Sequence, residues 1–109
     1  MDLPRWQENQ SGWLIPDYIR YRWHSIVGKS SEKLAPLLKK VSGIDIFLHD
    51  SDHSYQNMLR EFQTAWASLK AGGLLLAHNI DYSEAFSDFS WDQGVKGYFL
   101  DDLGGILKV

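Results

Sequence analysis

The sequence contains no cysteine among its 109 residues. Disulfide scaffolds, thiolate zinc sites and cysteine nucleophiles are therefore excluded as classes. It also lacks an excess of positive charge, because 11 basic residues stand against 14 acidic ones and leave a formal net charge of −3. Proteins that bind the phosphate backbone of nucleic acids carry the opposite balance, so we expect no nucleic-acid partner.

Long hydrophobic runs are missing as well. The longest wholly apolar run is residues 74–77, far below the ~20 residues of a membrane-spanning helix, and the N-terminus has no signal-peptide pattern. We therefore expect a soluble, cytoplasmic protein with no membrane partner. A chain of this length that is 44% hydrophobic can build one core. Residues 1–11 are predicted to be an irregular leader, and residues 12–109 a single domain.

The hydrophobic pattern predicts alternating helices and strands. Helices are predicted over residues 15–23, 31–41, 54–70 and 83–89. Strands are predicted over residues 24–28, 44–49 and 73–79, followed by a hairpin over residues 95–100 and 104–109. We expect Ser30 or Ser31 to cap the second helix, Ser54 to cap the third and Gly72 to close it. This order favours an α/β fold whose mostly parallel sheet has about five strands and ends in an antiparallel hairpin.

Polar residues follow the two most apolar predicted strands. Asp50 comes directly after residues 44–49, and His78 and Asn79 end the strand at residues 73–79. Ligands bind beyond the carboxyl ends of parallel strands, so Asp50 and Asn79 are expected to face one pocket. A carboxylate, an amide oxygen and several waters would suit Mg²⁺. His53, three residues past Asp50, could take a proton from a substrate hydroxyl held near the metal.

The residues by themselves favour a structural interpretation of this cluster. Asp50 and Asp52 can satisfy N–H groups at the start of the following helix, with His53 exposed in the loop, because acidic residues are routine at helix N-termini. A histidine beside an apolar strand, such as His78, is most often hydrogen-bonded locally. His49 and His24 are interpreted as structural or surface residues. A metal phosphohydrolase is a further alternative, but its ligands would be expected on helices rather than at strand ends.

Residues 12–23 read GWLIPDYIRYRW, and residues 44–89 contain HDSDHSY at residues 49–55 followed by AGGLLLAHN at residues 71–79. These two segments resemble the macrocin O-methyltransferase-like group of class I S-adenosylmethionine-dependent methyltransferases, and the resemblance is carried by the HDSDHSY and AGGLLLAHN motifs. It implies a Rossmann-like sheet of strand order 3-2-1-4-5-7-6, S-adenosylmethionine as cofactor and a small-molecule methyl acceptor. It also implies that His53 is the catalytic base and that the metal ligands are Asp50, His78 and Asn79.

The sequence departs from that family on the cofactor side. No GxGxG motif occurs, and Lys29 stands in Gly-Lys-Ser where the family usually has Gly-Asp-Ser, so the resemblance assigns no cofactor-binding residue. The chain resembles the C-terminal half of a methyltransferase domain, a truncated form of the fold.

Truncation would leave the edge of residues 44–49 open. We predict either that residues 24–28 pair directly with residues 44–49, or that a second copy or a complementary chain covers this edge, because an open apolar edge invites aggregation. The alternative function is a non-catalytic remnant or interaction module that self-associates or pairs with a partner.

Overall fold

The computed structural model describes residues 13–109. Within that range the chain forms two 3-10 helices, Asp17–Arg22 and Ile80–Tyr82, together with three α-helices and four strands. In chain order these are α1 (Ser30–Lys40), β1 (Ile44–His49), α2 (Tyr55–Ser68), β2 (Leu69–Ala77), α3 (Ala85–Gln93), β3 (Tyr98–Leu100) and β4 (Leu103–Leu107). None of the helices in residues 13–109 is both long enough and apolar enough to cross a membrane. The predicted leader, residues 1–11, lies outside the described residues.

The four strands form one mixed sheet of order β1-β2-β4-β3. β1 runs parallel to β2, whereas β2 with β4 and β4 with β3 are antiparallel. The predicted α/β fold and C-terminal hairpin are therefore confirmed. The prediction of a mostly parallel sheet of about five strands is not confirmed, because residues 13–109 contain four strands and only one of their three pairings is parallel. The observed order matches 4-5-7-6, the second half of the sheet order that the resemblance implies.

Residues 24–28 do not form the predicted strand. They are irregular, and Val27 is 90% exposed. An apolar stretch becomes a strand only where a neighbour satisfies its N–H and C=O groups, and among the described strands β1 pairs only with β2. Direct pairing of residues 24–28 with β1 is therefore wrong. Cover of the β1 edge by another chain stays a prediction.

α2 packs the core against one face of the sheet. Ser54 caps it as predicted, since its Oγ accepts a hydrogen bond from the N–H of Asn57 at 3.3 Å. Met58, Phe62 and Ala65 recur at helical spacing and are fully buried. They share one core with residues of the sheet and of α3, namely Leu75, Ala77, Ile106, Ala85, Phe86 and Phe89.

The end of α2 differs from the prediction. Closure at Gly72 is wrong, because the helix ends at Ser68 and β2 begins at the next residue. The terminal carbonyl groups have another partner: Nζ of Lys108 donates to the carbonyl oxygens of Trp66 at 2.5 Å and Leu69 at 2.7 Å. A cation at this position satisfies the unpaired carbonyls of the last turn and suits the negative end of the helix dipole. The chain can therefore enter β2 without a glycine cap.

The opposite face of the sheet is exposed. Side chains alternate along each strand, so the residues next to the buried Leu75, Ala77 and Ile106 point away from the core. On this second face lie Ile46, Leu48, Tyr98, Leu100 and Leu107, all exposed. The sequence pattern predicts that β1 is covered on both faces; within the described residues it is covered on one.

Candidate functional site

The carboxyl ends of β1 and β2 bring the predicted site residues together. Parallel pairing sets His49 opposite Ala77, and the N–H of His78 donates to the carbonyl oxygen of His49 at 3.1 Å. Asp50 and His78 are consequently neighbours across the strand ends. Oδ1 of Asp50 lies 3.4 Å from Nδ1 of His78 and 3.8 Å from Nε2 of His53.

Asn79 approaches the same histidine from the other strand. It adopts the left-handed conformation, with φ 54° and ψ 44°, and starts the 3-10 helix Ile80–Tyr82. Asparagine tolerates this conformation better than most residues do. Its Nδ2 lies 3.5 Å from Nε2 of His53. Asp50 and Asn79 thus both face one imidazole nitrogen.

Two aromatic neighbours hold the ring of His53. Tyr82 stacks on it, with ring centroids 5.2 Å apart and planes inclined by 22°. His49 meets it edge-on at 5.5 Å. The His53 side chain is 20% exposed, so the ring is fixed in orientation but accessible. Tyr82 is not predictable from the sequence as a site residue, because only the turn after β2 brings it back over the loop that carries His53.

The turn between β3 and β4 adds Asp102, a second site residue that the sequence did not predict. Oδ2 of Asp102 lies 3.4 Å from Nε2 of His78. The carbonyl oxygen of Asp102 accepts a hydrogen bond from the N–H of Ile80 at 3.0 Å, which ties the turn to the end of β2. His78 therefore has a carboxylate beside each ring nitrogen, Asp50 at Nδ1 and Asp102 at Nε2.

The structural interpretation holds for Asp52 and not for Asp50. Oδ1 of Asp52 accepts from the N–H of Ser54 at 3.0 Å, and Oδ2 accepts from the Ser54 hydroxyl at 3.3 Å. Asp52 thus supports the start of α2. The carboxylate of Asp50 instead faces two imidazole rings, so the two acidic residues of this loop have different surroundings.

A buried carboxylate lies beneath the site. Glu61 on α2 is 4% exposed, and its Oε2 accepts from Oγ of Ser30 at 2.7 Å, Oγ of Ser51 at 2.7 Å and Nδ2 of Asn57 at 2.8 Å. Burial by itself raises the pKa of Glu61, but these hydrogen bonds outweigh it and hold that pKa below its usual value. Neither Ser30 nor Ser31 caps α1 as predicted: Lys29 occupies the cap position, and the Ser30 hydroxyl is directed to Glu61.

His49 separates Glu61 from the site. It is completely buried, so its interpretation as a surface residue is wrong and the structural one applies. Its Nε2 lies 3.9 Å from Oε2 of Glu61, beyond hydrogen-bond distance. Burial lowers the pKa of His49 despite the nearby carboxylate. The imidazole is therefore neutral at pH 7.

Two cavities meet at the start of α2. The larger, of about 760 Å³, lies between the N-terminal ends of α1 and α2 and is lined in part by Ser30, Ser51 and Arg60. The smaller, of about 490 Å³, is lined in part by His53 and Tyr82. Asp52 and Ser54 line both cavities. Two ligands could thus lie side by side at this edge of the sheet.

The ligand atoms at the strand ends do not fit the predicted magnesium site. One oxygen or nitrogen from each of Asp50, His53 and His78 lies within 4.8 Å of the others. Two of these three donors are imidazole nitrogens, whereas Mg²⁺ prefers oxygen ligands in octahedral geometry. Asn79 offers a single amide that lies against His53. Because most of the clustered donors are nitrogens, they suit a borderline transition-metal ion better than Mg²⁺.

A family model described as a methyltransferase domain matches residues 2–80, a range that includes Asp50, His53, His78 and Asn79. No curated protein matches the chain. The match covers well over half of the 109 residues, and the order of the four strands agrees with 4-5-7-6, the second half of the sheet order that the resemblance implies. The chain therefore belongs to the methyltransferase domain family.

Proposed function

We propose that the chain is an S-adenosylmethionine-dependent O-methyltransferase domain of the macrocin O-methyltransferase-like group and carries the acceptor side of the active site. One observation supports this finer assignment: Asp50 at 3.8 Å and Asn79 at 3.5 Å both approach Nε2 of His53. An accessible imidazole beside a carboxylate is suited to take a proton from an alcohol. The acceptor class is a small molecule with a hydroxyl group.

In this proposal the residues of the smaller cavity carry out the proton transfer. Bound S-adenosylmethionine supplies an electrophilic methyl group. Nε2 of His53 would take the proton of the acceptor hydroxyl, which would let the acceptor oxygen receive that methyl group. Asp50 stabilises the imidazolium that results, while the stacked ring of Tyr82 keeps His53 aligned with the acceptor.

The larger cavity is the proposed cofactor site. Its volume of about 760 Å³ is within the range of roughly 300–1,000 Å³ usual for small-molecule sites. At its edge Gly28 has φ 143°, and a Cβ there would lie 2.7 Å from Cε of Lys33, so no larger residue fits without displacing that side chain. Lys29, Lys33 and Arg60 line the cavity and can face the carboxylate of the cofactor. Asp52 lines both cavities, so the methyl donor and the methyl acceptor would meet beside it.

Calorimetry and a methyl-transfer assay test this proposal. S-adenosylmethionine should give saturable heat with the wild-type chain, and labelled methyl should appear on a hydroxylated acceptor in EDTA-treated samples. His53→Gln should keep cofactor binding and lower kcat by roughly 10²–10⁴-fold. His24→Gln, which alters an exposed histidine outside both cavities, is the matched control. Absence of cofactor binding, or unchanged transfer by His53→Gln, would contradict the proposal.

The exposed face of the sheet favours a second function, self-association. Ile46, Leu48, Tyr98, Leu100 and Leu107 are between 49% and 72% exposed. Monomeric proteins rarely expose a contiguous apolar patch of this kind. We propose that a second copy of the chain covers this face. The paired positions on the face carry no charge, so two such faces can pack together without burying a charged group.

Light scattering tests self-association. The wild-type chain should behave as a dimer at high concentration, and Leu48→Lys should shift it to monomer. Trp91→Lys, on α3 and 86% exposed, changes an apolar surface residue away from this face and should leave the dimer intact. A monomeric wild-type chain at millimolar concentration would exclude the second function.

A further inference from the structure

We propose that Asp50, His53 and His78 bind a first-row transition-metal ion of the Zn²⁺ type and that Asp102 positions His78 for this role. The inference concerns the same strand ends as the proposed methyl transfer but does not require that reaction. It follows from the poor fit between Mg²⁺ and the donor atoms of these three residues. Two imidazole nitrogens and one carboxylate are donors that Zn²⁺, Co²⁺ and Ni²⁺ accept and that Mg²⁺ does not favour.

The spacing of the three donors suits such an ion. Zinc bonds of about 2.0–2.2 Å in tetrahedral geometry place neighbouring ligand atoms about 3.4 Å apart. Oδ1 of Asp50 lies 3.4 Å from Nδ1 of His78 and 3.8 Å from Nε2 of His53, and one ligand atom from each of the three residues lies within 4.8 Å of the others. Small side-chain rotations would therefore bring one ligand atom from each of the three residues to bonding distance of a single ion. The side chains of Asp50 and His78 are 60% and 46% exposed, so a water molecule can take the fourth position, as in catalytic zinc sites.

Asp102 provides an independent observation. Histidines that bind metals usually donate their second N–H to a carboxylate or carbonyl group, which fixes the tautomer. Oδ2 of Asp102 lies 3.4 Å from Nε2 of His78, on the side of the ring away from Asp50. A proton on Nε2, directed to Asp102, leaves the lone pair of Nδ1 available to the ion. His53 is likewise oriented by its stacking on Tyr82.

Metal binding has a consequence for the proposed reaction. The ion would occupy Nε2 of His53, the atom that takes the acceptor proton in the proposed methyl transfer. Zn²⁺ should therefore inhibit methyl transfer instead of activating it, and Mg²⁺ at the same concentration should leave the rate unchanged.

Titration of the EDTA-treated chain with Zn²⁺ by calorimetry, and with Co²⁺ by visible absorption, tests the site. We expect one ion per chain and a Co²⁺ absorption band that Zn²⁺ abolishes. His53→Ala and His78→Ala should each lower Zn²⁺ affinity by more than about 100-fold, beyond the roughly 10- to 100-fold loss expected for the outer-shell variant Asp102→Asn. His24→Ala removes an exposed histidine elsewhere and should bind Zn²⁺ as the wild type does.

Several results would overturn the inference. They are unchanged Zn²⁺ affinity in either cluster variant, an equal loss in His24→Ala, or displacement of Zn²⁺ by an equal concentration of Mg²⁺. Circular dichroism checks that each variant folds, and His78→Gln, closer in size to histidine, replaces the alanine variant if that one unfolds. Zn²⁺ binding of the expected pattern without methyl transfer would reject the proposed function alone, and methyl transfer without Zn²⁺ binding would reject the metal site alone.

Discussion

Replacing Glu61 by alanine should lower the free energy of unfolding at pH 7 by about 3 kcal/mol. Its Oε2 accepts hydrogen bonds from Ser30, Ser51 and Asn57, which join α1, the loop after β1 and α2. A hydrogen bond to a charged group contributes roughly 1.5–3 kcal/mol. The three donors line the larger cavity and can rehydrate once the carboxylate is gone, so the loss is smaller than the sum of three such bonds.

Urea denaturation followed by tryptophan fluorescence measures this loss. With a slope of about 2 kcal/mol per molar urea, the midpoint should fall by about 1.5 M. Glu32→Ala removes an exposed glutamate in the first turn of α1 and should change stability by no more than about 0.5 kcal/mol. A loss below about 1 kcal/mol in Glu61→Ala would refute the argument that this carboxylate joins the three elements.

Glu61→Gln separates the charge from the hydrogen bonds. Burial opposes ionisation, but the hydrogen bonds outweigh it and hold the pKa of Glu61 below its usual 4.5. The unfolded chain therefore takes up the proton first as pH falls. The stabilisation is fully present above about pH 4.5 and is lost as pH falls through the folded-state pKa. The stability difference between wild type and Glu61→Gln should shrink towards pH 3, and a difference independent of pH would contradict this assignment.

Two further predictions concern packing and ionisation. Gly104→Ala would place a Cβ 2.7 Å from Cζ of Phe86 and should cost about 1–3 kcal/mol in urea denaturation. Gly105→Ala should cost less, because its nearest neighbour is a side-chain carbon at 3.3 Å, and equal losses would contradict the packing argument. The hydrogen bond from Tyr55 to Asp88 raises the pKa of the tyrosine above its usual 10. In an NMR titration Asp88→Asn should bring that pKa back down, and an unchanged value would reject this cause.

The elements best predicted from sequence are those specified by local patterns. The strand at residues 44–49 has the predicted bounds, since glycine precedes its apolar run and a polar loop follows. Ser54 caps α2 because side-chain capping is decided within one turn. The terminal hairpin follows from two apolar runs around Asp101, which adopts a left-handed φ of 54° in the turn. Each of these features depends on residues close together in the chain.

The features that the sequence did not reveal depend on distant partners. Residues 24–28 have strand-like composition, but the described strands offer them no pairing neighbour. The early end of α2 depends on Lys108, about 40 residues further along the chain. Asp102 reaches His78 only because β4 returns beside β2. Spacing along the chain carries no signal for such contacts, whereas the parallel pairing of β1 with β2 made the approach of Asp50 and Asn79 to one place predictable.

The hydrophobic pattern that builds the core also fixes the site. His49 is the last residue of β1 and is completely buried, so alternation along the strand turns Asp50 out of the core at the edge of the sheet. The hydrogen bond from the N–H of His78 to the carbonyl oxygen of His49 aligns the end of β2 with the end of β1. A slip of one residue would reverse the faces of β1 and expose His49 while burying Leu48. Such a slip would destabilise the core, so the register of β1 is fixed. Packing of the core therefore keeps Asp50 and His78 side by side at the strand ends.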